Sequence, residues 1–266
     1  TETTDLNTAR KEKYGGAGTS TAGVIFGGGT PSAGNAAITE NWNGSAWTET
    51  GDLNTARSLL AGVGAAYTAS IAFGGYISSG SALTETFNGS SWTETGDLNT
   101  AREGLSGSGT NTEALAFGGL TPAPAVVGIT ENFNGSTWTE VADLSTVRNS
   151  GGGSPSGTNL LALAAGGYDG SSATTATEEW TAPSTFTKTV EGQLFFNSTA
   201  NAFKETITDI PGATWASGPA INTARFQAAG AGAAQGASYI IGGAIPGSTP
   251  NISALHEQFD GTSWTE

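Results

Sequence analysis

The chain has no cysteine and no methionine, a single histidine, and only 9 lysine and arginine residues against 23 aspartates and glutamates. Each shortage excludes something. Without cysteine there is no disulfide, no thiolate nucleophile and no sulfur ligand for a metal. With His256 as the one histidine, a Ser-His-Asp relay has a single possible base, and no Gly-x-Ser-x-Gly elbow surrounds any serine. No Gly-x-x-x-x-Gly-Lys-Ser/Thr loop is present, and no calcium-loop pattern. No catalytic residue, metal site or cofactor is therefore expected, and the chain does not read as an enzyme. The net charge of −14 opposes nucleic acid and anionic lipid, both of which need a basic patch. No apolar run approaches the 18 or more residues of a spanning helix, so membrane insertion is not expected. The missing methionine leads us to expect a processed product or an excerpt of a longer chain.

What the chain has in abundance is glycine, at 41 positions, and a repeat. Asp-Leu-Asn-Thr-Ala-Arg occupies 5–10, 52–57 and 97–102, varies to Asp-Leu-Ser-Thr-Val-Arg at 143–148, and returns as Ala-Ile-Asn-Thr-Ala-Arg at 220–225. Small residues, a Gly-Gly pair, a Thr-Glu-x-aromatic segment and usually Ser/Thr-Trp-Thr-Glu follow each copy. The arginines Arg10, Arg57, Arg102 and Arg148 are spaced by 45–47 residues, the period of a four-stranded propeller blade. We expect an all-β, single-domain β-propeller of antiparallel four-stranded blades, with repeats at about 4–50, 51–95, 96–141, 142–190 and 218–266.

The second copy serves as template. Residues 59–66 are small and apolar, 70–73 form a short buried strand ended by Gly74 and Gly75, and 83–87 alternate with period two. Asn88-Gly89 predicts a type I′ hairpin, which needs positive φ at both central residues. A fourth strand carries Trp92. The fourth copy is irregular, because Arg148 and Arg225 lie 77 residues apart. Aligning Glu179-Trp180 with Asn132-Phe133 places Phe186 where Trp138 stands and completes this repeat near Val190. The remainder, 191–217, then reads as a shortened blade with Trp215 on its last strand, for six blades in all. The rival reading is a hairpin inserted into a five-bladed ring.

Glycine-rich first strands suit the crowded axis, and the tryptophans Trp47, Trp92, Trp138 and Trp264 suit the roomier outer strands. Each copy also pairs one arginine with one third-strand glutamate: Arg10 with Glu40, Arg57 with Glu85, Arg102 with Glu131, Arg148 with Glu178, Arg225 with Glu257. A planar guanidinium against a carboxylate sets geometry, so these residues are expected to be structural. Asn-Gly-Ser at 43–45, 88–90 and 134–136 also matches the glycosylation sequon, but the hairpins themselves require it.

Gly-Gly after the second strand, Glu-x-aromatic in the third, Trp in the fourth and Arg in the connection together resemble the kelch repeat. That resemblance implies ring closure with terminal strands sharing one blade. The wording Asp-Leu-Asn-Thr-Ala-Arg, Phe-Gly-Gly and Thr-Glu-x-Phe-Asn-Gly-Ser-x-Trp-Thr-Glu is similar to the Gly- and Thr-rich kelch-like repeats of marine bacteriophage structural proteins, those infecting cyanobacteria among them. It implies a virion surface or appendage protein, such as a tail or fibre component, built for adhesion. Its expected partners are other virion proteins or copies of itself, and host surface polysaccharide or a receptor. The loops that differ most among copies, at 29–37, 76–82, 120–128, 168–174 and 244–252, emerge on one face and hold the candidate binding residues Tyr76, Tyr168 and Asp169. A cellular, secreted or cell-surface kelch interaction module is the alternative. A carbohydrate-active enzyme would need acids clustered at the axis, where the inner strands carry almost none.

Overall fold

The computed structural model describes residues 4–31, 34–155, 157–182, 194–197, 202–205, 214–234, 237–245 and 254–266. Small and β-branched residues alternating with turn signals every few positions leave the chain no helical stripe, and the elements formed are strands. They make five antiparallel four-stranded sheets, the blades. Blade one comprises Gly15–Thr19, Ala22–Phe26, Thr39–Trp42 and Trp47–Glu49; blade two Ala61–Ala66, Ala69–Phe73, Thr84–Phe87 and Trp92–Glu94. Blade three comprises Ser106–Gly109, Ala114–Phe117, Thr130–Phe133 and Trp138–Val141; blade five Ala229–Ala234, Ala237–Ile241, His256–Phe259 and Trp264–Thr265.

Blade four overturns the six-blade reading. Its strands are Gly152–Gly153, Leu161–Ala165, Thr177–Thr181 and Thr214–Gly218. Trp215 stands opposite Trp180 in the ladder, as Trp138 stands opposite Phe133. The last strand of this blade is therefore Trp215's, and Phe186, expected in that place, lies outside the described residues. Among the described residues, Leu194–Asn197 and Ala202–Glu205 pair only with each other, as a hairpin between the third and fourth strands. The physical reason is register: the ladder edge left by Thr177–Thr181 is satisfied by whichever later segment repeats the Trp phase, and chain length between them costs little. The shared terminal blade is also corrected. Blades one and five each draw all four strands from one continuous stretch.

The turns differ in type from expectation. Gly89 has a φ of +98°, but among the described non-glycine residues only Glu12, Leu59, Ser150 and Gln227 have positive φ, so Asn88 does not. The ladder closes at Phe87 and Trp92, leaving a four-residue loop. Inside it the Asn88 Oδ1 accepts from the amides of Ser90 and Ser91, both at 3.0 Å. An asparagine side chain that caps two amides removes the need for a left-handed residue before the glycine.

The core lies between blades. Strand periodicity of two gives each second strand two apolar faces. Ile71 and Phe73, on what we term the leading face of blade two, pack against Ala114, Ala116, Phe133 and Trp138 of blade three. Ala72, on the trailing face, packs with Val24 and Phe26 of blade one together with Phe87 and Trp92. The same arrangement joins blades three and four, and four and five. Phe26 meets Trp92 edge-on at 4.6 Å between centroids, and Phe73 meets Trp138 at 5.0 Å. The Trp92 indole donates to Thr39 Oγ1 across the junction at 3.0 Å, and Trp138 to Thr84 Oγ1 at 3.1 Å. Near the axis the blades touch through backbone: a Cβ at Gly62 would lie 2.8 Å from the Gly16 amide nitrogen and 2.4 Å from the Phe26 ring.

Candidate ligand site at the channel mouth

The connections between blades build this site, and the repeated arginine holds each connection in place. Arg102 Nη1 donates to the carbonyls of Gly118 and Ile129 at 2.7 and 2.6 Å, and Nη2 to Glu131 Oε1 at 2.9 Å. The other carboxylate oxygen, Oε2, accepts from the Asn99 amide at 2.7 Å and from its side chain at 2.8 Å. All five Arg–Glu pairs form, each within the blade that the arginine precedes, and all are buried. Burial pushes the Arg57, Arg102 and Arg148 guanidiniums below their ordinary value, while the partner glutamate pulls each back up. These ten buried residues fix the connections to the blades.

Two residues beyond each arginine the backbone turns left-handed, at Glu12, Leu59, Gly104, Ser150 and Gln227, with φ between +53° and +64°. The turn lets successive connections bond one another around the axis. Leu59 N donates to Lys13 O at 2.8 Å, Gly104 N to Leu59 O at 2.8 Å, Ser150 N to Gly104 O at 2.6 Å and Gln227 N to Ser150 O at 2.8 Å. The result is a collar at one end of the channel.

A cavity of about 600 Å³ opens over this collar. Its walls include Leu59, Asn149, Gln227, Phe226, Tyr168 and Glu103. Tyr168 is brought there because its backbone exchanges two hydrogen bonds with Asn149, both at 2.9 Å, and its hydroxyl donates to Gly170 O at 3.0 Å. Asp169 braces the same loop from outside the lining. Its Oδ1 accepts from the Ser172 and Ser171 amides at 2.8 Å each, and these bonds hold its carboxyl below the usual range. Tyr76 occupies the position in blade two that Tyr168 holds in blade four, bonded through its backbone to Ser58, but does not line the cavity. Of the three residues read as candidates, the structure thus places one on the cavity, one behind it and one apart.

The cavity is walled by amides, hydroxyls and aromatic rings, and the one carboxyl among its described lining residues is Glu103, whose pKa partial burial pushes up. A hydrolytic pair of carboxylates is not assembled among the lining residues. Such a surface can stack on a ring and exchange neutral hydrogen bonds. Sequence reading missed the collar because leucine, glycine, serine and glutamine share no chemistry. Their common signal is the fixed offset of two from each arginine, which only the backbone conformation explains.

The collar itself holds a second charge, buried among its carbonyls. Lys13 Nζ donates to Leu105 O at 2.7 Å, Ser106 Oγ at 3.3 Å and Gly151 O at 3.5 Å, with no carboxylate among these partners. Burial lowers its pKa to about 8.

Compared with known proteins, the chain matches no protein-family model, and no curated protein matches it.

Proposed function

We propose that the chain is a non-catalytic binding module of a virion surface appendage, gripping a neutral host polysaccharide in the cavity at the channel mouth. The observation that carries the reading is the cavity itself: about 600 Å³, walled by Tyr168, Phe226, Asn149 and Gln227, with no basic residue among its described lining, on the face where the repeats differ most. Aromatic walls with a few fixed polar groups suit a sugar ring, which has apolar faces and a hydroxyl rim. The rigid Arg–Glu clamps hold the connections while the loops above them vary, so one scaffold serves different ligands. The virion assignment rests on the likeness of the repeats to those of marine phage structural proteins.

The test is a panel of neutral and acidic oligosaccharides against the purified chain, followed by isothermal titration of the best binder. Tyr168→Ala and Phe226→Ala should each weaken binding about tenfold, equivalent to about 1.4 kcal/mol, while Tyr76→Ala leaves it unchanged. Binding only to acidic glycans, loss on Tyr76→Ala instead, or release of cleaved product would overturn the reading. Antibody labelling of intact phage particles tests the location.

A further inference from the structure

Among the described residues, four junctions between neighbouring blades are packed, and the fifth, between blades five and one, is not. On the leading face, Phe26, Phe73, Phe117 and Ala165 are each at most 3% exposed, yet Ile241 at the same ladder position is 47% exposed and Tyr239 is 39% exposed. On the trailing face, Trp92, Trp138 and Trp264 are buried to 5–6%, whereas Trp42, Trp47 and Ile25 of blade one stay half-buried. The backbone says the same. Gly28, Gly75, Gly119 and Gly167 each donate to the carbonyl of the arginine that leads into the next blade. Among the described residues no such bond joins Gly243 to Arg10. Asp52, Asp97 and Asp143 each accept the amide of a third-strand threonine from the preceding blade at 3.0 Å. Asp5, their equivalent, has no such partner among the described residues.

A cavity of about 970 Å³ joins the central channel, lined there by Gly62, Gly107 and Gly153 of the other blades, to the open face of blade one at Ile25, Trp42 and Trp47; among the described residues of blade five it touches Ile241 and the start of the inner strand. Each blade likewise has glycine and alanine on its inner side and tryptophan on its outer side. We infer that this seam receives one further four-stranded blade of the same repeat. The chain shows four times over what covers each face. A Trp–Phe trailing face would lie on Tyr239 and Ile241, with its indole at His256, the ladder position that Thr39 holds when it accepts from Trp92. An aliphatic-x-Phe leading face would cover Ile25, Trp42 and Trp47. A whole second copy does not fit this role, because each of its blades is already packed on a neighbour. Self-closure would have to reset the rotation of four packed interfaces, which resist such strain.

The test uses the full chain labelled with 5-fluorotryptophan, whose seven resonances are assigned by Trp→Phe variants. An unlabelled polypeptide with the sequence of residues 97–141 is added. One-to-one binding that shifts the Trp42 and Trp47 resonances is expected. Ile241→Asp should weaken it at least tenfold, and a donor carrying Phe117→Ser and Trp138→Ser should not bind. The same donor fused to the chain through a flexible linker provides a high effective concentration where the free repeat does not fold. Trp42 and Trp47 unmoved in both formats would overturn the proposal. So would rapid bismaleimide bridging of Ile25→Cys with Ile241→Cys in this cysteine-free chain without donor, since that shows a ring that closes on itself.

Discussion

Removing the Glu131 carboxylate is the most informative perturbation of the scaffold. Glu131→Ala takes away the acceptor of Arg102 Nη2 at 2.9 Å and of the Asn99 amide at 2.7 Å, in a site where both charged side chains are fully buried. Arg102 Nε already has no partner, so the guanidinium keeps only its two bonds to the Gly118 and Ile129 carbonyls. Breaking a buried pair from one side leaves an uncompensated charge and costs about 3–5 kcal/mol. At about 2–4 °C per kcal/mol, that is a fall in Tm of roughly 6–20 °C. Glu131→Gln should fall between, because its amide oxygen still accepts from Asn99 but carries no charge. Adding Arg102→Met to Glu131→Ala should recover part of the loss, since the stranded charge is then gone. Calorimetry and tryptophan fluorescence, followed on the same samples, check whether the transition stays cooperative. A cost for Glu131→Ala below about 1 kcal/mol, the range of an exposed ion pair, would refute the reasoning that this clamp is desolvated and essential.

Two further outcomes follow from local geometry. Gly118 and Gly34 have similar φ values of +67° and +71°, but a Cβ at Gly118 would sit 2.5 Å from the Arg148 carbonyl oxygen while one at Gly34 meets nothing within 4 Å. Gly34→Ala should cost about 1–2 kcal/mol for the left-handed backbone alone, and Gly118→Ala about 1–3 kcal/mol more for the collision; equal costs in urea unfolding would refute the contact. Lys13, with its pKa lowered from 10.5 to about 8, makes stability depend on pH. Between those values the unfolded chain holds a proton that the folded chain has released, so the burial cost is full below about pH 8 and is relieved as pH rises towards 10.5. The stability of the chain relative to Lys13→Gln should therefore increase from pH 7 to pH 10, and a difference that stays constant would show that Lys13 is not desolvated.

Much of the architecture was readable because it repeats. The Arg57–Glu85 class of contact announces itself by recurring at one spacing, and a contact that every blade must make leaves the same residues in every copy. The glycine-rich inner strands and outer tryptophans were legible for the same reason. The fourth copy was not. Phe186 and Trp215 both follow Trp180 at the right phase, and local pattern cannot say which strand completes the ladder beside Thr177–Thr181; the ladder pairing of Trp180 with Trp215 decided it. The type I′ turn was misread because Asn88 and Gly89 are compatible with two loops, and the amides of Ser90 and Ser91 select the longer one.

The candidate site was less legible still. Tyr168 was singled out from loop variability, but its place on the cavity depends on backbone pairing with Asn149, and the collar of Leu59, Gly104, Ser150 and Gln227 depends on a shared φ that side-chain identity does not record. The sequence by itself determined the all-β class, the blade unit, the Arg–Glu clamps and the exclusion of thiol chemistry, because those follow from residue types and spacing. Only the tertiary structure decided the number of blades, the cavity at the channel mouth and the open face of Tyr239 and Ile241, because each depends on which surfaces meet across the ring, and no local stretch of chain encodes that meeting.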